Sequence, residues 1–306
     1  GLKAGISIIV LQALGKLAHR TLHNTADWLV AIAGFIGIFF ANLPFPLIIA
    51  SAAFYGFVTS KPVNDQESVI ALPNGRQNFF TLLHWATVWW LPILAVDYIF
   101  GAAQLAAIGY FFSQLAVVTF GGAYAVLAYM AQDVGGQLGW LQAGTMMDGL
   151  GLAETTPGPL ILVTEFVGFV TAFNAGGLAY GIAGAAIALW ATFIPCFLWI
   201  FVGAPYIEWL THQPRLQAAL LSIMAAVVGV VANLFLWFVL HIVFMRISHE
   251  TVGPFTILIP AITSADLTTI TIAAACGVVA FWRKAGLFTV LTVAAGFGIL
   301  SGMITL

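Results

Sequence analysis

Residues 147–169 read MDGLGLAETTPGPLILVTEFVGF and place two prolines and a glycine inside an apolar segment. Pro157 and Pro159 remove two amide donors and disfavour helical angles in the residues before them, while Gly158 is free to take a positive φ. No continuous helix passes through such a sequence. The stretch therefore predicts two short helices separated by an opened backbone.

The composition of the whole chain indicates the solvent around this break. Of 306 residues, 62% are hydrophobic and 7% are charged, whereas charged residues make up about a quarter of a soluble domain. Nine Lys and Arg against eleven Asp and Glu leave a net charge of −2, which excludes a basic surface for nucleic acid. Because apolar runs without strand-like alternation recur along the chain, we predict an all-α, polytopic protein of the lipid bilayer.

Some apolar runs reach the roughly 20 residues that cross a bilayer, and others are shorter. The short runs come in adjoining pairs, residues 28–41 with 45–58 and residues 140–153 with 160–173. A run of about fourteen residues does not span the hydrocarbon core upright, so the pairs predict half-length or re-entrant helices. Irregular backbone at membrane depth is tolerated only inside protein or beside water, and we expect the functional site at these breaks.

A polar segment divides the sequence into residues 1–58, a linker at 59–78 and residues 79–306. Asp27 and Asp266, which are 239 positions apart, each precede a broken apolar pair. Duplicated halves of this kind are typical of secondary transporters. We therefore expect a repeat of two transmembrane halves. Residues 1–58 are expected to be the C-terminal remnant of the first half, preceded by roughly 140 further residues. Residues 79–306 are expected to form the second half.

Two breaks offer candidate anion-binding groups. A helix that starts at Pro159 would direct the N–H groups of residues 160–162 into the Pro-Gly-Pro break, and such helix starts bind anions. Paired glycines in the run at 104–131 predict a second unwound point. The predicted substrate-binding residues are Thr119, Phe120, Gly121, Gly122, Tyr124, Thr155, Thr156, Pro157, Gly158 and Pro159.

Three carboxylates near the Pro-Gly-Pro break are candidates for proton coupling. Glu154 adjoins the break, Glu165 follows it and Asp148 precedes it, and charges within apolar runs are costly and usually functional. Residues 77–214 contain six acids and neither Lys nor Arg, so an anion here rests on main-chain amides, hydroxyls or cations from elsewhere. A carboxylate beside a bound anion is driven toward its protonated form. The same acids alternatively suit a proton or cation carrier.

Three motifs resemble the chromate ion transporter family of bacteria. They are VTFGGAYAVL at residues 118–127, MDGLGLAETTPGPL at 147–160 and TFIPCFLWIFVGAPY at 192–206. The resemblance extends from residue 79 to about residue 306, and residues 1–58 resemble the closing part of the family's first half. The family is expected to hold Gln at the position of Glu165.

The resemblance implies a transporter rather than an enzyme, with neither a cofactor nor a metal. It implies export of chromate, or of a sulfate-like tetrahedral oxyanion, across the bacterial inner membrane, which confers chromate resistance. Two-half members carry a glycine turn and a Pro-Gly-Pro turn in each half. We therefore expect this chain to form a homodimer or to associate with its missing half; a membrane scaffold without transport is a further alternative.

Overall fold

A computed structural model describes residues 1–60, 75–119, 123–156, 159–252, 255–283 and 285–304. Four of its helical stretches are long and apolar enough to cross a membrane: Leu2–Thr21, Asn78–Tyr98, Leu160–Tyr206 and Pro214–Val243. The predicted class is confirmed, since the chain is an all-α, multi-pass membrane protein. The helices are α1 (Leu2–Thr21), α2 (Thr25–Phe39), α3 (Phe45–Thr59), α4 (Gly75–Tyr98), α5 (Ala103–Val118), α6 (Ala123–Gln132), α7 (Ala143–Thr155), α8 (Val163–Gly203), α9 (Ile207–Thr211), α10 (Pro214–Val243), α11 (Leu267–Gly277) and α12 (Leu287–Ile304).

Half-length helices occur where the paired short runs predict them. Helices α2 and α3 have 15 residues each, which gives about 22 Å at 1.5 Å per residue and falls short of a hydrocarbon core of about 30 Å. Between them, Asn42 takes a left-handed conformation with φ 46°, and the Leu43 N–H donates to the Gly37 carbonyl at 3.0 Å. This is a Schellman-type ending, in which Asn is a tolerated left-handed residue.

Helix α8 is a helical hairpin rather than one rod. Gly177 has φ 78° and ψ −165°, a conformation that favours glycine, and it separates the two arms. The arms approach so closely that a Cβ added to Gly168 would lie 2.5 Å from the Ala188 Cβ and 2.7 Å from the Gly184 carbonyl oxygen. Small residues therefore close the hairpin, as is usual where helices meet in lipid. The first arm corresponds to the predicted short run at 160–173.

The chain packs into two compact units, each discontinuous in sequence. In one unit, α1 contacts α7, α11 and α12. In the other, α8 contacts α4 and α5, and the buried Trp89 indole donates to the Ser113 hydroxyl at 2.9 Å. The first unit comprises Gly1–Ala52, Ala123–Leu160 and Ser222–Leu306, and the second comprises Ala53–Gly122 and Ile161–Leu221.

Two local features differ from the sequence expectation. Helix α4 begins at Gly75, inside the segment predicted as a linker, whose residues 61–74 lie outside the described part of the chain. An antiparallel hairpin of β1 (Ile247–Val252) and β2 (Phe255–Pro260) pairs Ile247 with Pro260. The strands ISHETV and FTILIP are rich in β-branched residues, and they follow α10 at a point where no apolar helical run continues. The hairpin is a local addition to an all-α fold.

Candidate functional site

The first backbone break follows α5. The helix ends at Val118, and Thr119 is extended, with φ −84° and ψ 103°. Its N–H donates to the Leu115 carbonyl at 3.0 Å, and its hydroxyl donates to the same oxygen at 2.6 Å. Helix α6 starts at Ala123. Helix α5 therefore ends just before the predicted glycine break, whose residues 120–122 lie outside the described part of the chain.

The second break follows α7 and has the same ending. Thr156 is extended, with φ −85° and ψ 128°. Its N–H donates to the Leu152 carbonyl at 3.0 Å, and its hydroxyl donates to that oxygen at 2.7 Å. The chain becomes helical again in a 3₁₀ turn at Leu160–Leu162, and α8 begins at Val163.

The shared geometry defines what the two threonines do. A hydroxyl has one hydrogen to donate, and Thr119 and Thr156 each donate it to a carbonyl of their own helix. In this conformation both hydroxyls cap helix ends instead of directing a hydrogen toward a ligand.

The structure describes the remaining predicted site residues to different extents. Tyr124 is half-buried in the first turn of α6, and Pro159 is exposed immediately before the 3₁₀ turn. Glu154 and Thr155 form the last turn of α7; their side chains are outside the described part. The site built from both breaks stays a prediction, because its central residues also lie outside the described part: Phe120, Gly121, Gly122, Pro157 and Gly158.

Asp148, a predicted proton-coupling residue, is ion-paired. Its Oδ1 lies 3.0 Å from the Lys3 Nζ, and the two side chains are 61% and 43% exposed respectively. The Lys3 ammonium also donates to the Gly144 carbonyl at 3.3 Å. Lys3 comes from α1, so the first unit brings a cation to a segment whose own sequence has none.

Glu165, the third predicted carboxylate, lies in the first turn of α8. Its side chain is exposed. A carboxylate at this position interacts favourably with the partial positive charge of a helix N-terminus. This placement provides a structural reason for an acid there, in addition to the predicted coupling role.

Sequence reasoning missed a polar cavity within the first unit. Its volume is about 340 Å³, and Asn42, Gln132, Asn233 and His241 are among its lining residues. The signal was present at Asn233, an amide in the middle of the apolar run that forms α10. The other three side chains belong to separate parts of the chain, and only folding brings them together.

Comparisons with known proteins agree with the motifs. The profile of the family described as Chromate transporter matches residues 106–300. A probable chromate transport protein of Synechococcus elongatus is 30% identical over 143 residues, which is 47% of this chain and 34% of that protein. A chromate transport protein of Cupriavidus metallidurans is 30% identical over 129 residues, covering 42% and 30% of the two chains. One of Pseudomonas aeruginosa is 25% identical over 238 residues, covering 76% and 52%.

This chain thus spans from about a third to about half the length of these curated relatives. No solved structure matches it.

Proposed function

This chain belongs to the chromate transporter family, and we propose that it carries chromate or a similar tetrahedral oxyanion across a membrane as a secondary transporter. The proposed direction is export across the bacterial inner membrane, with chromate resistance as the consequence. The names of the relatives indicate the substrate class. The chemistry of the two helix breaks supplies the physical reason.

The observation that carries the proposal is the matched ending of α5 and α7. Each helix stops at an extended threonine with its hydroxyl bonded back to the fourth residue before it, and a new helical segment begins four residues later. The first N–H groups of a helix have no partner within that helix, and they carry the positive end of the helix dipole. In this proposal each break offers main-chain donors to an anion, and residues 77–214 contribute no Lys or Arg that would hold the anion too tightly.

Glu154 is the proposed proton carrier. It lies in the last turn of α7, the end of a helix at which a negative charge is unfavourable. A bound anion in the adjoining break would add a second repulsion, and protonation of Glu154 would remove both. We therefore infer that anion and proton bind together. Asp148 and Glu165 are further candidates for the same role.

A proton or cation carrier is the second candidate, because residues 77–214 hold six acids and no Lys or Arg. The two candidates differ in what competes for the site. An oxyanion carrier is inhibited by sulfate, whereas a cation carrier is inhibited by cations and is indifferent to sulfate.

The test is uptake of chromate into proteoliposomes that contain the whole chain, with and without an imposed pH gradient. We expect saturable uptake that sulfate inhibits, and its loss in the variant Pro157→Ala/Pro159→Ala, which allows α7 to continue through the break. Pro214→Ala is the matched control, since Pro214 is the first residue of α10, a position at which proline only fits an existing helix start.

Unchanged uptake in the double proline variant would contradict the role of the break. For the proton, we expect Glu154→Gln to flatten the dependence of uptake on pH. A Glu154→Gln profile that follows the wild-type profile would remove Glu154 from the coupling.

A further inference from the structure

The polar cavity of about 340 Å³ lies within the first unit. Its walls come from the end of α2 and the turn that follows, from the end of α6 with the π-helical turn at Asp133–Gln137, and from the second half of α10. The volume falls in the range of roughly 300–1,000 Å³ of small-molecule sites. The lining side chains that the structure describes include no Asp, Glu, Lys or Arg, so the polarity of the cavity comes from amides, one imidazole and the main chain.

Gln132 brings a buried oxygen without a partner to this wall. Its Nε2 donates to the Leu43 carbonyl at 2.9 Å and to the Asn42 Oδ1 at 3.4 Å. Because a carbonyl oxygen only accepts, the Nε2 end of the amide must face Leu43, which fixes the orientation of the amide. Its Oε1 is buried and accepts no hydrogen bond from the residues that the structure describes. A buried acceptor of this kind favours a cation and disfavours an anion.

Two helices end at the same cavity with their C-termini. Ile38 and Phe39 line it from the last turn of α2, where the carbonyls have no partner within the helix. Gly135 and Gly136 line it from the π-helical turn that closes α6. Each C-terminus carries the negative end of a helix dipole. In membrane carriers, main-chain carbonyls at the ends of short helices are the groups that coordinate Na⁺.

Asn233 supplies a further group from the wall that α10 forms. It lies in the middle of this membrane-spanning helix, is half-buried and makes no hydrogen bond within the described part of the chain. An amide at such a position loses hydrogen bonds to water and needs a replacement. Its oxygen can turn toward a cation, because no hydrogen bond to the described residues holds the amide the other way round.

Two other kinds of ligand fit the cavity less well. An oxyanion would meet the Gln132 oxygen and no Lys or Arg among the described lining residues. His241 does not alter this, because its Nδ1 donates to the Trp237 carbonyl at 2.9 Å and the residue has a further interaction. Divalent and transition metals prefer several carboxylate, imidazole or thiolate ligands, and no three such residues come together in the part of the chain that the structure describes.

We propose that this cavity is a binding site for a monovalent alkali cation, held by the amide oxygens of Gln132 and Asn233 and by main-chain carbonyls at the ends of α2 and α6. Neutral oxygens suit such an ion, because they replace its hydration shell and still release it. The role that follows is that of a coupling ion, whose gradient drives the oxyanion transport. That role rests on the proposed function, whereas the site itself does not.

The experiment is calorimetric titration of the purified whole chain in detergent micelles with NaCl, KCl and choline chloride, at pH 8 and constant ionic strength. Choline chloride controls for chloride, and the alkali salt that gives a saturable heat identifies the ion. Asn233→Leu should bind this ion roughly ten- to a hundredfold more weakly, the usual loss for one contact to a charged group. Asn233→Asp keeps the shape of the side chain and adds a negative charge, so it should bind the cation more tightly, whereas it would weaken a bound anion.

The opposite wall is tested with the opposite charge. Gln132→Lys keeps a donor for the Leu43 carbonyl and places a positive charge at the cavity, so it should abolish cation binding. Gln217→Glu is the matched control, an acid introduced on an exposed part of α10, and it should bind the cation as the wild type does. Thermal unfolding identifies any variant that fails to fold, and Asn233→Asp then decides, since it loses no hydrogen bond to the described residues.

Equal heats for NaCl, KCl and choline chloride, or weaker cation binding by Asn233→Asp than by the wild type, would overturn the site. In proteoliposomes, we expect chromate uptake to respond to an imposed gradient of the bound cation and Asn233→Leu to lose that response. Sulfate-sensitive uptake without such a response would overturn the coupling role and leave the proposed function standing. A chain that binds the cation and transports no oxyanion would overturn the proposed function and leave the site standing.

Discussion

Gly168→Ala tests the hairpin of α8, which follows the Pro-Gly-Pro break directly. The added Cβ would lie 2.5 Å from the Ala188 Cβ and 2.7 Å from the Gly184 carbonyl oxygen, whereas ordinary contacts are 3.4–4 Å. One of the two obstacles is backbone, which no side-chain rotation removes. The two arms must therefore separate by about 1 Å along this seam, a repacking of the kind described for overfilled cores.

Overfilling a packed core costs about 1–3 kcal/mol, and an alanine in place of glycine returns up to about 1 kcal/mol of helix propensity. The net expectation is a loss of about 1–2 kcal/mol. For a chain of this size, that corresponds to a decrease in Tm of about 2–4 °C. Because membrane proteins unfold irreversibly in many detergents, Tm values should be ranked at one fixed scan rate by intrinsic tryptophan fluorescence.

Two further variants separate crowding from other effects. Gly15→Ala is the control, since Gly15 is inside α1 and a Cβ there meets nothing within 4 Å; it should keep or raise Tm. Gly168→Ala/Ala188→Gly removes one of the two obstacles, so it should recover part of the loss. A Gly168→Ala variant at least as stable as the wild type would refute the close approach of the two arms and with it the hairpin.

Three other predictions follow from specific contacts. The pKa of Asp266 is lowered chiefly by a hydrogen bond from a threonine hydroxyl in the first turn of α11. The contribution of Asp266 to stability is therefore present above the unfolded pKa of about 3.9 and is lost as the pH falls through the lower folded value. Asp266→Asn should flatten the dependence of Tm on pH below about 5. Trp89→Phe and Ser113→Ala each leave one partner of a buried hydrogen bond unpaired. Each should lower the free energy of unfolding, measured by chemical denaturation, by about 1–3 kcal/mol. The double variant should lose less than the sum of the two single losses. Lys3→Met should lower stability by at most about 1 kcal/mol, because the pair with Asp148 is exposed, and yet weaken chromate uptake.

Local signals were sufficient to predict the architecture. Proline and glycine act on their own backbone and on immediate neighbours, so the ends of α5 and α7 could be located without any knowledge of tertiary contacts. The hairpin of α2 and α3 follows from run length alone. The bend at Gly177 lies at a second pair of glycines, Gly176 and Gly177, but only the close contact between Gly168 and Gly184 shows that the chain turns back there.

Side-chain roles were less predictable because they depend on what the fold brings together. Thr119 and Thr156 are predicted as ligands, and the sequence does not indicate that an extended residue at a helix end places its hydroxyl within reach of the carbonyl four residues earlier. Asp148 is predicted to act with Glu154 and Glu165 in proton coupling, and the sequence names no partner for it. Its partner Lys3 is 145 residues away in sequence, and no pattern within either segment indicates the pairing.

The ion pair of Lys3 and Asp148 bears on the proposed passage of an anion beside a segment rich in acids. An exposed pair contributes about 0–1 kcal/mol to stability, too little to explain a charged residue beside apolar helices. Its electrostatic effect is larger, because a lone carboxylate repels an approaching dianion over a Debye length of about 8–10 Å, whereas a pair with its charges 3.0 Å apart presents mainly a dipole. The pair therefore removes one repulsive charge from the surroundings of α7 without adding a net positive charge.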